Sequence, residues 1–220
     1  MAELLLLHTV ETLRSLFDRL VEQRAPGLRR QHLVVPGLLE LARAAVPAGE
    51  LRAAVEAELA PWAGPDRVLL CTCSSIGAAA EKAGTVLGLP ALRVDRPMAE
   101  AAVDAGERLL VAATLESTLG PTLALIDEVA RLQGRRVRCR TCVCPAAWER
   151  MEAGDREGSY RMVAEAIRRE LGDAQAVVLA QASMAPVAGL CRDLPVPVLS
   201  SPESGVARAV AWCQSAGRSC

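Results

Sequence analysis

Cys71-Thr72-Cys73-Ser74-Ser75 ends an apolar run over Val68–Thr72 and leads into a helical pattern. A strand that hands a cysteine to the foot of a helix places its sulfur among unpaired backbone N–H groups, at the positive end of the helix dipole. A thiol in such a place can act as an acid/base or as a nucleophile. Side chains alternate along a strand, so Cys71 and Cys73 could share a face, and either could be the reactive thiol. Cys73 is preferred because it directly precedes the Ser-Ser helix entry. The second half has a matching run, Val177–Gln181, that ends in Ala182-Ser183-Met184-Ala185-Pro186. The two endings differ: this one carries no cysteine.

Other polar residues gather at the ends of apolar runs. His8 follows Leu4–Leu7 and is a candidate catalytic residue: an imidazole there could supply an acid/base or activate Cys73, although a polar residue capping a buried strand is common. His32 has no comparable position. The hydroxyls of Thr9, Ser74, Ser75, Thr114, Thr118 and Ser183 are candidate donors to a substrate carboxylate, and the same chemistry also caps helices. Ser183 is a poor base without an activating neighbour. Asp95 reads as structural or interdomain. Cys139, Cys142 and Cys144 have the close spacing of metal ligands, but no second CxxC pair or nearby histidine completes a site, and strand alternation would split Cys139 from Cys142. The expectation is therefore no metal. Arg135, Arg136, Arg138 and Arg140 read as a solvated basic edge.

These residues need a scaffold that ends strands beside helix starts, and the rest of the chain supplies the pattern. Apolar runs at Leu4–Leu7, Val68–Thr72, Leu92–Val94, Leu109–Ala113, Val137–Thr141, Val177–Ala180 and Val196–Leu199 alternate with helical stretches, one of them running from Ser75 to about Ala83 and closing at Gly84. Uniformly apolar strands alternating with helices predict an α/β fold with parallel sheets covered on both faces. Sites in such folds lie beyond the carboxyl ends of the strands. The organisation is duplicated in the two halves, without an exact internal repeat.

Composition narrows the partners. The chain has 220 residues, 51% of them hydrophobic, with a formal charge of −1 and five aromatic residues (three Trp, one Tyr, one Phe). It thus lacks both a global pull towards polyanions and the aromatic platforms that stack on bases, so neither nucleic acid nor a membrane is expected. No apolar run approaches the ~20 residues of a membrane span. Leu4–Leu7 is too short for a signal-peptide core, and the eight cysteines read as reduced thiols of a cytoplasmic protein.

Cys73-Ser74-Ser75 after a strand, Ala113-Thr114 with Thr118, and Asp173 through Pro186 resemble the aspartate/glutamate racemase superfamily, which includes hydantoin racemases, maleate isomerases and arylmalonate decarboxylases. Asp95 to Glu100 and Leu179 to Ala185 resemble one subgroup of it. The resemblance implies two pseudo-symmetric, Rossmann-like α/β domains with the site in the cleft between them. The domains would be 1–95 plus 203–220, carrying Cys73, and 96–202, carrying Thr114 and Ser183. In two-base members one cysteine removes the α-proton and the other returns one to the opposite face. Here only Cys73 is present, with Ala182 in the second place. The resemblance implies cofactor-independent racemase-like, isomerase or lyase (decarboxylase-like) chemistry on a small carboxylate or amino acid, with a homodimer left open. The alternative is a degenerate homologue that binds a small carboxylate without turning it over.

Overall fold

The computed structural model describes residues 2–64 and 66–216. Contacts along the chain divide it into two units, Met1–Asp95 with Pro202–Cys220, and Arg96–Ser201.

In the first unit the elements run β1 (Glu3–His8), α1 (Arg14–Arg24), β2 (Arg30–Val34), α2 (Pro36–Arg43), α3 (Ala48–Leu59), β3 (Arg67–Cys71), α4 (Ser74–Leu87) and β4 (Ala91–Arg93). The four strands are all parallel, in the order β2-β1-β3-β4. Leu5 and Leu7 of β1 and Leu69 and Cys71 of β3 pack with Leu38, Val55, Leu59 and Ile76, so α2, α3 and α4 cover one face. His8, one step out of phase, meets the Phe17 ring of α1 on the other face, at 5.7 Å between centroids.

The second unit repeats the plan. α5 (Arg96–Ala105) and β5 (Arg108–Ala113) precede α6 (Leu119–Leu132) and β6 (Arg138–Val143). α7 (Pro145–Glu152), α8 (Arg156–Glu170), β7 (Ala176–Leu179), α9 (Pro186–Leu190), β8 (Val198–Leu199) and α10 (Ser201–Ala216) follow. The strand order is β6-β5-β7-β8, again all parallel. Leu109, Val111, Ala176 and Val178 face α5 and α6, whereas Leu110, Ala112, Val177 and Leu179 face α7, α8 and α9. Each unit ends just after its fourth strand, and the next helix is counted with the other unit: α5 follows β4 but packs in the second, and α10 follows β8 but packs in the first. The Ala2 N–H donates to the Cys213 carbonyl and so ties α10 to the start of β1. No helix among the described residues is long and apolar enough to cross a membrane.

Two details differ from the sequence reading. β2 is a strand that hydropathy does not mark, because it is an edge strand with half-exposed Arg30, His32 and Leu33 in place of a buried apolar run. α4 does not stop at Gly84. It continues to Leu87 and closes at Gly88, whose φ of 62° is the left-handed conformation glycine adopts most readily. Gly84 is buried where α4 crosses β4: a Cβ there would press on the Ala91 Cβ and lie 2.6 Å from the Leu89 carbonyl oxygen. Gly84→Ala should therefore lose about 2 kcal/mol through overpacking, despite alanine's better helix propensity. Gly88→Ala should lose about 1–2 kcal/mol through backbone strain. Urea unfolding reads both, and wild-type stability in Gly84→Ala would contradict the close crossing.

Candidate active site

In each unit the chain leaves the first strand towards one face of the sheet and leaves the third strand towards the other. α1 and α6 follow β1 and β5, and α4 and α9 follow β3 and β7 onto the opposite faces. Between two strands whose connections diverge, a crevice opens at their carboxyl ends. The residues there are His8-Thr9 and Thr72-Cys73-Ser74 in the first unit, and Thr114 and Gln181-Ala182-Ser183 in the second.

The first unit separates its two cysteines. Cys71, the last residue of β3, is wholly buried among Leu5, Leu7 and Ile76, and its Sγ points at the Cys73 carbonyl at 3.5 Å. Burial pushes its thiol well above the ordinary cysteine range. Cys73 lies beyond the strand as the N-cap of α4, half-buried, with extended φ/ψ of −111° and 117°. Its side chain makes no cap hydrogen bond. Ser74 and Ser75 follow, both half-buried, and their backbone N–H groups belong to the first turn, which has no carbonyls upstream to bond.

A buried ion pair braces that turn. Arg93 at the end of β4 donates from Nε to Asp95 Oδ1 at 2.6 Å and from Nη2 to Oδ2 at 2.9 Å, with both side chains almost fully buried. Nη2 also reaches the Ser74 carbonyl at 3.3 Å. A Cβ on Gly77 would lie 2.9 Å from Arg93 Nε, so the glycine makes room for the guanidinium to lie along the helix start. Asp95 therefore acts structurally, through Arg93, on the residue that follows Cys73.

His8 ends β1 as the sequence suggests, but its ring is not free to serve Cys73. It is fully buried, and both ring nitrogens have partners: Nδ1 lies 2.9 Å from Thr72 Oγ1, and Nε2 lies 2.9 Å from His32 Nδ1. The Thr72 hydroxyl donates to the Leu7 carbonyl at 3.0 Å, so His8 Nδ1–H donates to Thr72 and His8 Nε2 accepts from His32. The two imidazoles stack with centroids 5.2 Å apart. Burial, reinforced by the nearby His32 and Arg14, lowers the His8 pKa to about 4. This imidazole is a neutral tie between β1, β2 and β3, with no nitrogen left for Cys73. His32, read as idle from sequence, completes the tie, and its Nε2 lies 3.4 Å from Asp18 Oδ1.

In the second unit, the Thr114 backbone N–H and Oγ1 both donate to Gln181 Oε1, at 2.7 and 2.9 Å. Thr118 Oγ1 donates to the Leu115 carbonyl at 2.7 Å, so its proton is used inside the turn and is not available to a carboxylate. Ser183 is half-buried in a short 3-10 turn, Ala182–Met184, and Thr9 is buried.

Strand register allows the two units to be compared residue by residue. Leu7 pairs with Cys71, as Ala112 pairs with Leu179. The Thr72 N–H donates to the Leu7 carbonyl, as the Ala180 N–H donates to the Ala112 carbonyl. The Val35 N–H reaches the His8 carbonyl, as the Cys144 N–H reaches that of Ala113. Cys73 therefore corresponds to Gln181, and Ser74 to Ala182. Both Cys73 and Gln181 are extended N-caps. The residue of the second unit that corresponds to Cys73 in strand register is thus Gln181 and not Ala182, one position earlier than the sequence pattern suggests. On the same register Thr9 corresponds to Thr114, and the His8–Thr72 pair to Ala113 and Ala180.

Cys142 and Cys144 lie on one face with their sulfurs 3.9 Å apart, packed among Ala147, Val163 and Ile167, while Cys139 belongs to the opposite layer. Among the described residues, no three His, Cys, Asp or Glu side chains are grouped to hold a metal ion.

A model of the Asp/Glu/hydantoin racemase family matches residues 11–209. The fold is similar to that of a candidate Asp/Glu racemase from Yersinia pestis, 15% identical, with 97% of this chain and 100% of that one covered and a TM-score of 0.77. It is also similar to glutamate racemase from Thermus thermophilus, solved with β-chloro-D-alanine (17% identical, 98% and 82% covered, TM-score 0.71). Allantoin racemase from Pseudomonas fluorescens is a third such structure (18% identical, 98% and 92% covered, TM-score 0.60). No curated protein sequence matches the chain.

The histidine tie carries a pH signature. With its folded pKa near 4, against about 6.5 when free, His8 binds fewer protons in the folded chain than in the unfolded one between those values. Its contribution is whole above about pH 6.5 and is lost as pH falls towards 4, by about 2–3 kcal/mol. His32 is shifted the same way, again by burial first, with Asp18 opposing. Urea unfolding from pH 7.5 to 4.5 should show a steeper stability loss for wild type than for His8→Asn. Parallel curves would contradict a neutral, buried His8.

Proposed function

The chain belongs to the Asp/Glu/hydantoin racemase family, and on that footing we propose that it is a cofactor-independent enzyme that forms and quenches a carbanion next to a carboxylate. The substrate would be a small carboxylic or amino acid, with Cys73 as acid/base or nucleophile. The observation that carries this reading is the contrast between the two neighbouring thiols. Cys71 is sealed in the core with its proton held, whereas the Cys73 thiol stands at the foot of α4 with no hydrogen-bond partner among the described residues.

In the proposed step the Cys73 thiolate takes the α-proton, or in a decarboxylation the thiol supplies a proton after carbon dioxide leaves. Charge that develops on the carboxylate as an enolate is stabilised by preorganised donors. Thr9, the Ser74 and Ser75 first turn, and Ser183 are the candidates. Thr114 and Thr118 drop out of that set because their hydroxyl protons are already bound, to Gln181 Oε1 and to the Leu115 carbonyl. On this reading Cys73 is the one proton carrier, because both nitrogens of His8 are engaged, so the proton returns to the face it left. Racemase-family chemistry then takes a one-faced form, as in exchange, isomerisation or lyase reactions.

The second reading, a homologue that binds the acid without turning it over, is favoured by the same observation that a two-base mechanism has lost its second thiol. The two readings separate on Cys73. In D2O, proton NMR on a panel of amino, hydroxy and substituted dicarboxylic acids should show loss of a Cα–H signal with wild type. Cys73→Ala should slow that exchange by about 10²–10⁴-fold, the usual worth of a positioned acid/base. Exchange that survives in Cys73→Ala would contradict the role of the thiol, and ligand binding without any exchange would favour the binding homologue.

A further inference from the structure

We infer that Gln181 is a substrate-binding residue, whose side-chain NH2 donates to a carboxylate oxygen of a small acid at the carboxyl end of β7. The inference deepens the proposed function and rests on its carboxylate substrate class.

The orientation of the amide follows from its partners. A backbone N–H can only donate, so the Gln181 atom 2.7 Å from the Thr114 nitrogen is the side-chain oxygen. The Thr114 hydroxyl adds a second donor to the same oxygen at 2.9 Å. With Oε1 held twice, the NH2 end is fixed in direction, and among the described residues neither of its N–H groups has a hydrogen-bond partner. Gln181 is half-buried at the carboxyl end of β7, beside the end of β5, where the connections diverge to opposite faces. Two aimed donors of a pre-oriented amide suit an anionic oxygen, and little side-chain entropy is lost on binding. An amide does not titrate near neutrality, so it can hold a carboxylate but cannot exchange a proton with carbon.

A purely structural reading exists, because the Thr114–Gln181 bonds also stitch β5 to β7. That stitch uses only the oxygen. Gln181→Glu keeps an oxygen acceptor for the Thr114 N–H and hydroxyl, while it replaces both free donors with a second, negatively charged oxygen. The variant therefore preserves the stitch and repels the ligand.

The test is a titration of ¹⁵N-labelled protein with D- and L-aspartate, D- and L-glutamate and malonate, following side-chain NH2 resonances. The Gln181 pair is assigned by its absence from Gln181→Ala. The expected result is a saturable shift of that pair with at least one acid, and affinity weakened about tenfold or more in Gln181→Glu while its backbone spectrum and unfolding midpoint stay at wild-type values. An NH2 pair that moves with none of the acids, or Gln181→Glu binding as tightly as wild type, would overturn the inference. Saturable shifts without Cα–H exchange would leave it standing and remove the proposed catalysis. Cys73-dependent exchange with no response at Gln181 would do the reverse.

Discussion

The parallel 2-1-3-4 strand order, built twice, is the constraint on which the rest depends. A parallel sheet needs a crossover after every strand, and each crossover must cover a face. In both units the connections after the first and third strands leave to opposite sides. The carboxyl ends of β1 with β3, and of β5 with β7, are thereby left as neighbours that no helix covers. Whatever residue caps the helix after the third strand stands at that crevice, and in one unit it is Cys73 and in the other Gln181.

From this shared frame the units diverge in how they hold their crevice residues. The first ties β1 to β3 with His8 and Thr72, backs the tie with His32, and pins the start of α4 through Arg93 and Asp95. All of these contacts lie behind Cys73 and leave its thiol unbonded. The second unit has alanines at the positions of His8 and Thr72, and it makes its tie through the crevice residue itself, from Thr114 to Gln181. A breach of the Arg93–Asp95 pair would remove two charge-assisted hydrogen bonds from the buried interior. The arrangement at Cys73 is therefore braced by buried polar contacts of its neighbours.

The sequence made the strands, the alternation and the place of Cys73 legible, because buried parallel strands read as continuous apolar runs and Cys73 sits at a strand-to-helix junction. β2 was hidden because an edge strand need not be apolar. Gly84 looked like a helix stop because a glycine needed for close helix-to-strand approach is indistinguishable in sequence from one needed for a turn. His8 was placed correctly at the end of β1, but its partners Thr72 and His32 lie 64 and 24 residues away, beyond what local pattern can pair. The step from Ala182 to Gln181 is a register question. Two apolar runs can be slid against each other by one residue without changing their hydropathy, and only the hydrogen-bond ladder decides. The same register aligns Thr9-Val10-Glu11 with Thr114-Leu115-Glu116, a trace of the duplication that the runs alone do not reveal.

Proton transfer by the Cys73 thiol alone, with an amide at the corresponding position of the second unit, has a stereochemical consequence. The most direct test is chiral chromatography of an enantiopure acid that the protein exchanges in D2O, comparing wild type with Gln181→Cys. Retained configuration is expected with wild type, and the opposite enantiomer is expected to appear with Gln181→Cys. Wild-type protein that interconverts the enantiomers as fast as it exchanges the proton would contradict proton transfer by Cys73 alone.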